Sequence, residues 1–325
     1  GHPFRQKEGY KEFKGGRTYR IAYEHFDGGS EQETMFRYAD YLNDPAFIEA
    51  VRTADAVVVC VGYDWYLESE SWDRPFALPE GHLRCLETIL EHTDKAVVVI
   101  NSGGGVEMAP WIDRTGGVLM AWYQGQQGGD AIAELLTGKI SPSGKLPFTL
   151  EKRWEDNPVY DNYYPNTDQV KEDNPYKRVE YNEGVFVGYR GYERNGVEPL
   201  FPFGFGLSYT TFDYSGLKAE AAGDGEFIVS FDVTNTGRYD AAEVAQLYVG
   251  DVESSVVRPA KELKGYEKIF LKRGETRRVE LRLDEEAFRH YDCIRRDFVV
   301  EPGDFDLFVG TSSQDIRLKT RINVK

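Results

Sequence analysis

The densest run of reactive side chains is GYDWYLESESWDRP, residues 62–75. It carries Asp64, Glu68, Glu70, Asp73 and Arg74 among Trp65, Tyr66 and Trp72. Carboxyls set among aromatic rings suit work on carbohydrates. A ring covers the apolar face of a sugar, and a partly desolvated carboxyl keeps its proton near neutral pH and can deliver it. Arg74 is placed to orient a neighbouring carboxylate. On composition alone the same run also fits a solvated acidic loop. A second run, NSGGGVEMAPW at 101–111, sets glycines after an apolar stretch, as phosphate cradles do. It has neither the Lys-Ser/Thr of a P-loop nor GxGxxG spacing, so it reads as a tight turn where backbone approaches backbone. SPSGKLPFT at 141–149 precedes an extended stretch instead of following one, which rejects nucleotide binding there. No GxSxG lies near a usable His and Asp. His82 sits on a helical pattern, where histidines are mostly inert. The five histidines and three cysteines show neither metal-site nor disulfide spacing.

The elements that must position the acidic loop alternate between two periodicities. Residues 55–62 (DAVVVCVG) form a continuous apolar run, which predicts a strand buried on both faces. Residues 80–92 place Leu83, Leu86, Ile89 and Leu90 at helical spacing. Further strands are predicted over 96–101 and 116–123, a further extended piece over 145–150, and helices over 45–54 and 128–139, the last ended by Gly138. Met108 to Ile112 read as a short helix or turn. Strand–helix alternation means crossovers and a mostly parallel sheet with helices on its faces. The acidic loop follows the first visible strand, and parallel sheets bind ligands beyond the carboxyl ends of their strands.

Residues 151–205 are rich in tyrosine and proline and read as a connector packed along both flanking regions. Beyond 206 the pattern turns to short alternating runs at 227–235, 242–250, 261–271, 276–284, 297–310 and 315–324. Turn signals NTG, KRGE and EPGD punctuate them. This predicts an antiparallel β-sandwich. The 325 residues, at about 150 per domain, fit roughly two domains. A net charge of −16 repels phosphate, which excludes nucleic acid and anionic membrane surfaces as partners. No stretch approaches the roughly 20 apolar residues that span a bilayer. The opening GHPFRQKEGYKEF is polar with no apolar h-region, so no signal peptide is expected, and the compartment stays open.

Several motifs then converge. ESESWDR followed by LPEGH resembles the acid/base loop of glycoside hydrolase family 3, where the pattern is commonly Glu-Gly-x-Asp-Arg before Leu-Pro. ISPSGKLPFT resembles the segment closing that family's α/β-sandwich (C-terminal) domain. EGVFVGYRGYE with PLFPFGFGLSYTTF resembles its junction into a fibronectin type III-like domain, and VTNTG, AEVAQLYV and RPAKELKGYEKIFLKRGET resemble that domain's strands. The resemblance implies an α/β-sandwich domain over 1–150 whose first strand is not visible, a connector over 151–205 and a fibronectin type III-like domain over 206–325.

Carried over residue by residue, Glu70 matches the acid/base, with Glu68 as the alternative acid. Asp73 and Arg74 match the residues that shape the loop, and Ser71 stands where the family usually has glycine. Trp65, Tyr66 and Trp72 are the expected substrate-binding rings. The family's aspartate nucleophile sits on a (β/α)8 barrel of about 250 residues or more, for which the pattern leaves no room. The resemblance therefore implies part of a retaining β-glycosidase, working beside a barrel chain or domain, as in permuted or two-chain relatives. The implied substrate is a terminal non-reducing β-glucoside, or alternatively a β-xyloside. The implied mechanism needs neither cofactor nor metal. A non-catalytic carbohydrate-binding or structural subunit is the competing reading, and so much aromatic surface suggests a homo-oligomer. A plain adhesion module would explain only 206–325.

Overall fold

The computed structural model describes residues 40–64, 66–70, 74–163, 181–223 and 225–325. Helix α1 (Pro45–Thr53) starts as its sequence requires. The Asp44 carboxylate accepts the Ala46 amide at 2.8 Å, and Pro45 occupies the first turn, where an amide hydrogen has no helical partner. Strands β1 (Val57–Gly62), β2 (Ala96–Asn101) and β3 (Gly117–Met120) form a parallel sheet in that order. Helix α2 (Glu80–Leu90) crosses between β1 and β2, burying Leu86, Ile89 and Leu90. These pack with Val59, Val61, Val98 and Ile100 in one cluster that Trp111 and Leu150 help to close. Helix α3 (Gly128–Leu136) follows β3 and stops short of residue 139. Just beyond its end Gly138 takes φ 72, a left-handed backbone.

Three expectations are corrected here. Strand β1 begins at Val57 and is buried on one face only, since Val58 is 49% exposed and Cys60 is exposed. Val58 pairs with Val97 and Cys60 with Val99. Val99 is buried, so this face is covered at β2 and open at β1 among the described residues. Strand β3 ends at Met120 instead of 123, because Trp122 adopts φ 57 and turns the chain out of the extended region. Segment 145–150, expected to be extended, bends at 147–148 and forms no strand. The Leu146 amide donates to the Phe205 carbonyl at 2.8 Å, and Leu150 bridges Phe201.

Between the two halves lie α4 (Tyr160–Tyr163) and α5 (Tyr189–Asn195). Tyr189 stacks on Phe203 at 5.0 Å and meets Tyr248 edge-on at 6.0 Å. Its hydroxyl accepts the Leu263 amide at 2.9 Å. The aromatic stretch thus packs directly on the following sheet.

That following region is a sandwich of antiparallel sheets. One sheet has the order β4-β5-β8, from β4 (Phe212–Gly223), β5 (Glu226–Asn235) and β8 (Thr276–Leu283). The other has the order β12-β11-β6-β7, from β6 (Ala241–Asp251), β7 (Glu262–Leu271), β11 (Gly303–Gly310) and β12 (Ile316–Val324). Its core interleaves Val229, Phe231 and Val233 with Leu247, Leu307 and Val309. Strand β4 escapes the sequence reading because FDYSGLKAEAAG contains no β-branched residue. The expected strand at 297–310 is two, β10 (Asp297–Val299) and β11, the first paired with β9 (His290–Asp292) in a small hairpin. Pro302 lies between them and has no amide for a ladder.

Strand β6 is buried on both faces over its second half. The outward Gln246 donates to the carbonyls of Gly204 and Thr311 at 3.1 and 2.6 Å, and Tyr248 lies under Tyr189. Gly204, at φ 80, must be glycine, since a Cβ there would stand 2.1 Å from Gln246 Oε1. A buried ion pair joins the halves. Lys145 Nζ stands 3.0 Å from Glu243 Oε1, with side chains 11% and 5% exposed. Among the described residues no helix is long and apolar enough to cross a membrane.

Candidate active-site loop

The loop after β1 begins with a turn written by Asp64. Its side chain accepts the Tyr66 and Leu67 amides at 3.0 and 3.1 Å, and its carbonyl accepts the Glu68 amide at 2.9 Å. This turn swings Glu68 back over the glycine-rich turn that follows β2. There the Glu68 carboxylate meets three donors. The Gly103 amide donates at 3.0 Å, the Tyr123 hydroxyl at 2.5 Å, and Arg74 Nε lies 3.0 Å away. Partial burial works to raise the pKa of Glu68. The Gly103 amide, then Tyr123 and Arg74, outweigh it and hold the carboxyl below its ordinary value. Glu68 is therefore held as a carboxylate by three donors.

Arg74 closes the other end of the loop. Its guanidinium donates to the Pro75 carbonyl at 3.1 Å, to Ser102 Oγ at 3.1 Å and to the Gly105 carbonyl at 2.7 Å. It also lies 4.3 Å over the Tyr63 ring. The glycines at 103 and 104 thus admit side chains from the loop. A Cβ at Gly104 would approach Arg74 Nη2 to 3.1 Å. The turn at 101–111 is a receiver for the acidic loop, which goes beyond the backbone-to-backbone approach expected of it. The carboxylate beside Arg74 is that of Glu68.

Between these anchors Glu70 is exposed, and its carboxyl has no hydrogen bond or ion pair among the described residues. Tyr66 is 55% exposed on the same loop. Trp65, Trp72 and Asp73 lie outside the described residues. His82 lies on α2 with Nδ1 3.0 Å from the Gly62 carbonyl, a bond that braces the end of β1.

Tyr123 went unrecognised as a site residue, being read as the tail of the third strand. Its position just past the carboxyl end of β3 was the available signal. Burial of the hydroxyl and then the bond to Glu68 push its pKa up to about 12, so it remains a donor throughout the working range.

Residues 26–189 match the model of the glycosyl hydrolase family 3 C-terminal domain, and residues 243–313 match a fibronectin type III-like domain. The chain is 44% identical over 280 residues to the thermostable beta-glucosidase B of Acetivibrio thermocellus, covering 85% of this chain and 36% of that protein. It is 39% identical over 278 residues to an exo-alpha-(1->6)-L-arabinopyranosidase of Bifidobacterium breve, covering 84% of this chain and 36% of that protein. The crystal structure of a Bifidobacterium adolescentis GH3 beta-glucosidase superimposes with a TM-score of 0.79 at 38% identity, over 86% of this chain and 40% of that one. The chain thus spans little more than a third of the length of the curated relatives it matches.

Proposed function

The chain belongs to glycosyl hydrolase family 3, and from that premise we propose that it supplies the general acid/base, Glu70, of a retaining β-glucosidase. The observation that carries this reading is the contrast between two carboxyls two residues apart. Glu68 is ionised and fully occupied as an anchor, whereas Glu70 has no partner among the described residues. A proton-transferring group must reach the substrate, and an anchor cannot leave its donors. Asp73 and Arg74 shape the loop, and Tyr66, Trp65 and Trp72 serve the leaving-group side of the sugar.

In this mechanism an aspartate on a barrel, in a partner chain or another part of the protein, attacks the anomeric carbon. Glu70 protonates the departing oxygen and then takes a proton from the water that releases the glycosyl-enzyme. The two carboxyls of such a pair stand about 5–5.5 Å apart. Positioned proton transfer contributes on the order of 10² to 10⁴ in rate. The fibronectin type III-like region is structural, and the chain by itself is inactive.

The test is Glu70→Gln in the protein complete with its barrel. Turnover of aryl β-glucosides with poor leaving groups should fall by about 10² or more. Formation of the glycosyl-enzyme from a dinitrophenyl glucoside, which needs no protonation, should persist. Equal loss on both substrates would sink Glu70 as the acid. Sugar binding that ignores Glu70, with no turnover in any form, would favour a non-catalytic subunit.

A further inference from the structure

We propose that Tyr123 is a positioning residue whose hydroxyl, acting through Glu68, sets where the acid/base loop holds Glu70. This rests on the assignment of Glu70 above. Four observations lead to it. First, the hydroxyl donates to Glu68 Oε2 at 2.5 Å and lies 3.4 Å from the Tyr63 carbonyl, so one atom from the end of β3 touches both sides of the loop's first turn. Second, Tyr123 is 53% exposed, so its ring is not a core element and its bound end is the hydroxyl. Third, the residue before it, Trp122, is held at φ 57, a costly backbone for a bulky side chain, and is fixed by edge-on packing against Phe148 at 5.6 Å. The chain thus bends sharply at the very point that presents Tyr123. Fourth, Glu70 follows Glu68 by only two residues, so its Cα lies within about 7 Å of the Glu68 Cα. The placement of one carboxylate constrains the other.

Arg74 and Gly103 hold the same Glu68 carboxylate, so losing the hydroxyl should loosen the loop without releasing it. A shift of about 1 Å in a catalytic group costs on the order of 10² in rate. The loss should therefore appear in proton transfer and not in folding or ground-state binding.

The experiment uses the complete enzyme with Tyr123→Phe, Glu68→Gln and Glu70→Gln, alone and with Tyr123→Phe combined with Glu70→Gln. The substrates are an alkyl or phenyl β-glucoside and a dinitrophenyl β-glucoside. Tyr123→Phe should lower kcat on the poor leaving group by 10- to 100-fold with KM within about twofold, and leave glycosyl-enzyme formation from the dinitrophenyl substrate nearly unchanged. Glu68→Gln should follow the same pattern. In the Glu70→Gln background Tyr123→Phe should add nothing, because the group it positions is gone. Unchanged kcat on the poor leaving group, equal loss on both substrates, or a full additional loss in the double variant would each overturn the proposal. If Glu70→Gln itself shows no leaving-group dependence, the acid/base assignment fails first, and the two failures are told apart.

Discussion

In the β-sandwich, Val229, Phe231 and Val233 face Leu247, Leu307 and Val309, and all six are withdrawn from water. In the α/β half the α2 side of the sheet is equally sealed, with Leu86, Val98 and Ile100 fully buried. The opposite side is not. Val58 and Cys60 face outward on β1, and α3 buries none of its residues completely. Apolar surface left in water forgoes roughly 25 cal/mol per Å². An apolar run such as VVVCVG is therefore expected under a cover, and the described residues supply half of one. The fibronectin type III-like half is a finished core. Among the described residues the α/β half has one closed face and one that is open at β1, and it is this half that carries the acidic loop.

The largest effect expected from this contrast is in the sandwich. Phe231→Ala should cost about 3–5 kcal/mol in urea unfolding of this chain, because both sheets close over the ring and cannot collapse into the space. A cost below about 1 kcal/mol would mean that the sandwich core is no tighter than the open sheet.

The loop anchor comes next. Glu68→Gln exchanges a carboxylate with three donors for an amide and should cost about 1.5–3 kcal/mol at pH 7. The folded pKa of Glu68 lies below its unfolded value, so its contribution is complete above the ordinary carboxylate range and drains away as pH falls through the folded pKa. The stability gap between wild type and Glu68→Gln should accordingly narrow from pH 7 to pH 3. A gap that stays constant with pH would refute the ionised anchor.

The smallest effect is the most discriminating. Val58→Ser should change the stability of this chain by no more than about 0.5 kcal/mol, as exposed substitutions do. In an enzyme assembled with a barrel that covers this face, the same change should cost about 1.5–3 kcal/mol. Equal small effects in both would show that the face stays open to solvent.

Much of this was legible in the residues. The helix after Asp44, the 3–4 spacing of α2 and the turn signals between sandwich strands are local, and each appears where local chemistry puts it. What the sequence misled on was set by distant neighbours. Burial of β1 depends on what lies over it, which the run VVVCVG cannot specify. Strand β4 forms because β5 offers it a ladder, not because its alanines favour extension. At the site, the loop and its mixture of carboxyls and rings were visible. Which of Glu68 and Glu70 is the anchor was not visible. That depends on a hydroxyl 55 residues away and on an amide 35 residues away. Lys145, dismissed as part of a nucleotide loop, has a partner nearly 100 residues downstream in Glu243.

The two-sided burial of β6 also bears on how the chain is made. Its outward Gln246 and Tyr248 are covered partly by Gly204 and Tyr189, which precede it in the chain, and partly by Thr311, which follows. Synthesis runs from the N-terminus, so the upstream covering segment leaves the ribosome before the strand that needs it. AEVAQLYVG is an uncharged apolar run apart from Glu243, the kind of segment that pairs with copies of itself when left bare. With the upstream part of its cover already emerged and Lys145 waiting for its one acidic residue, the strand meets part of its destination as soon as it appears, and its ladder partners β7 and β11 follow.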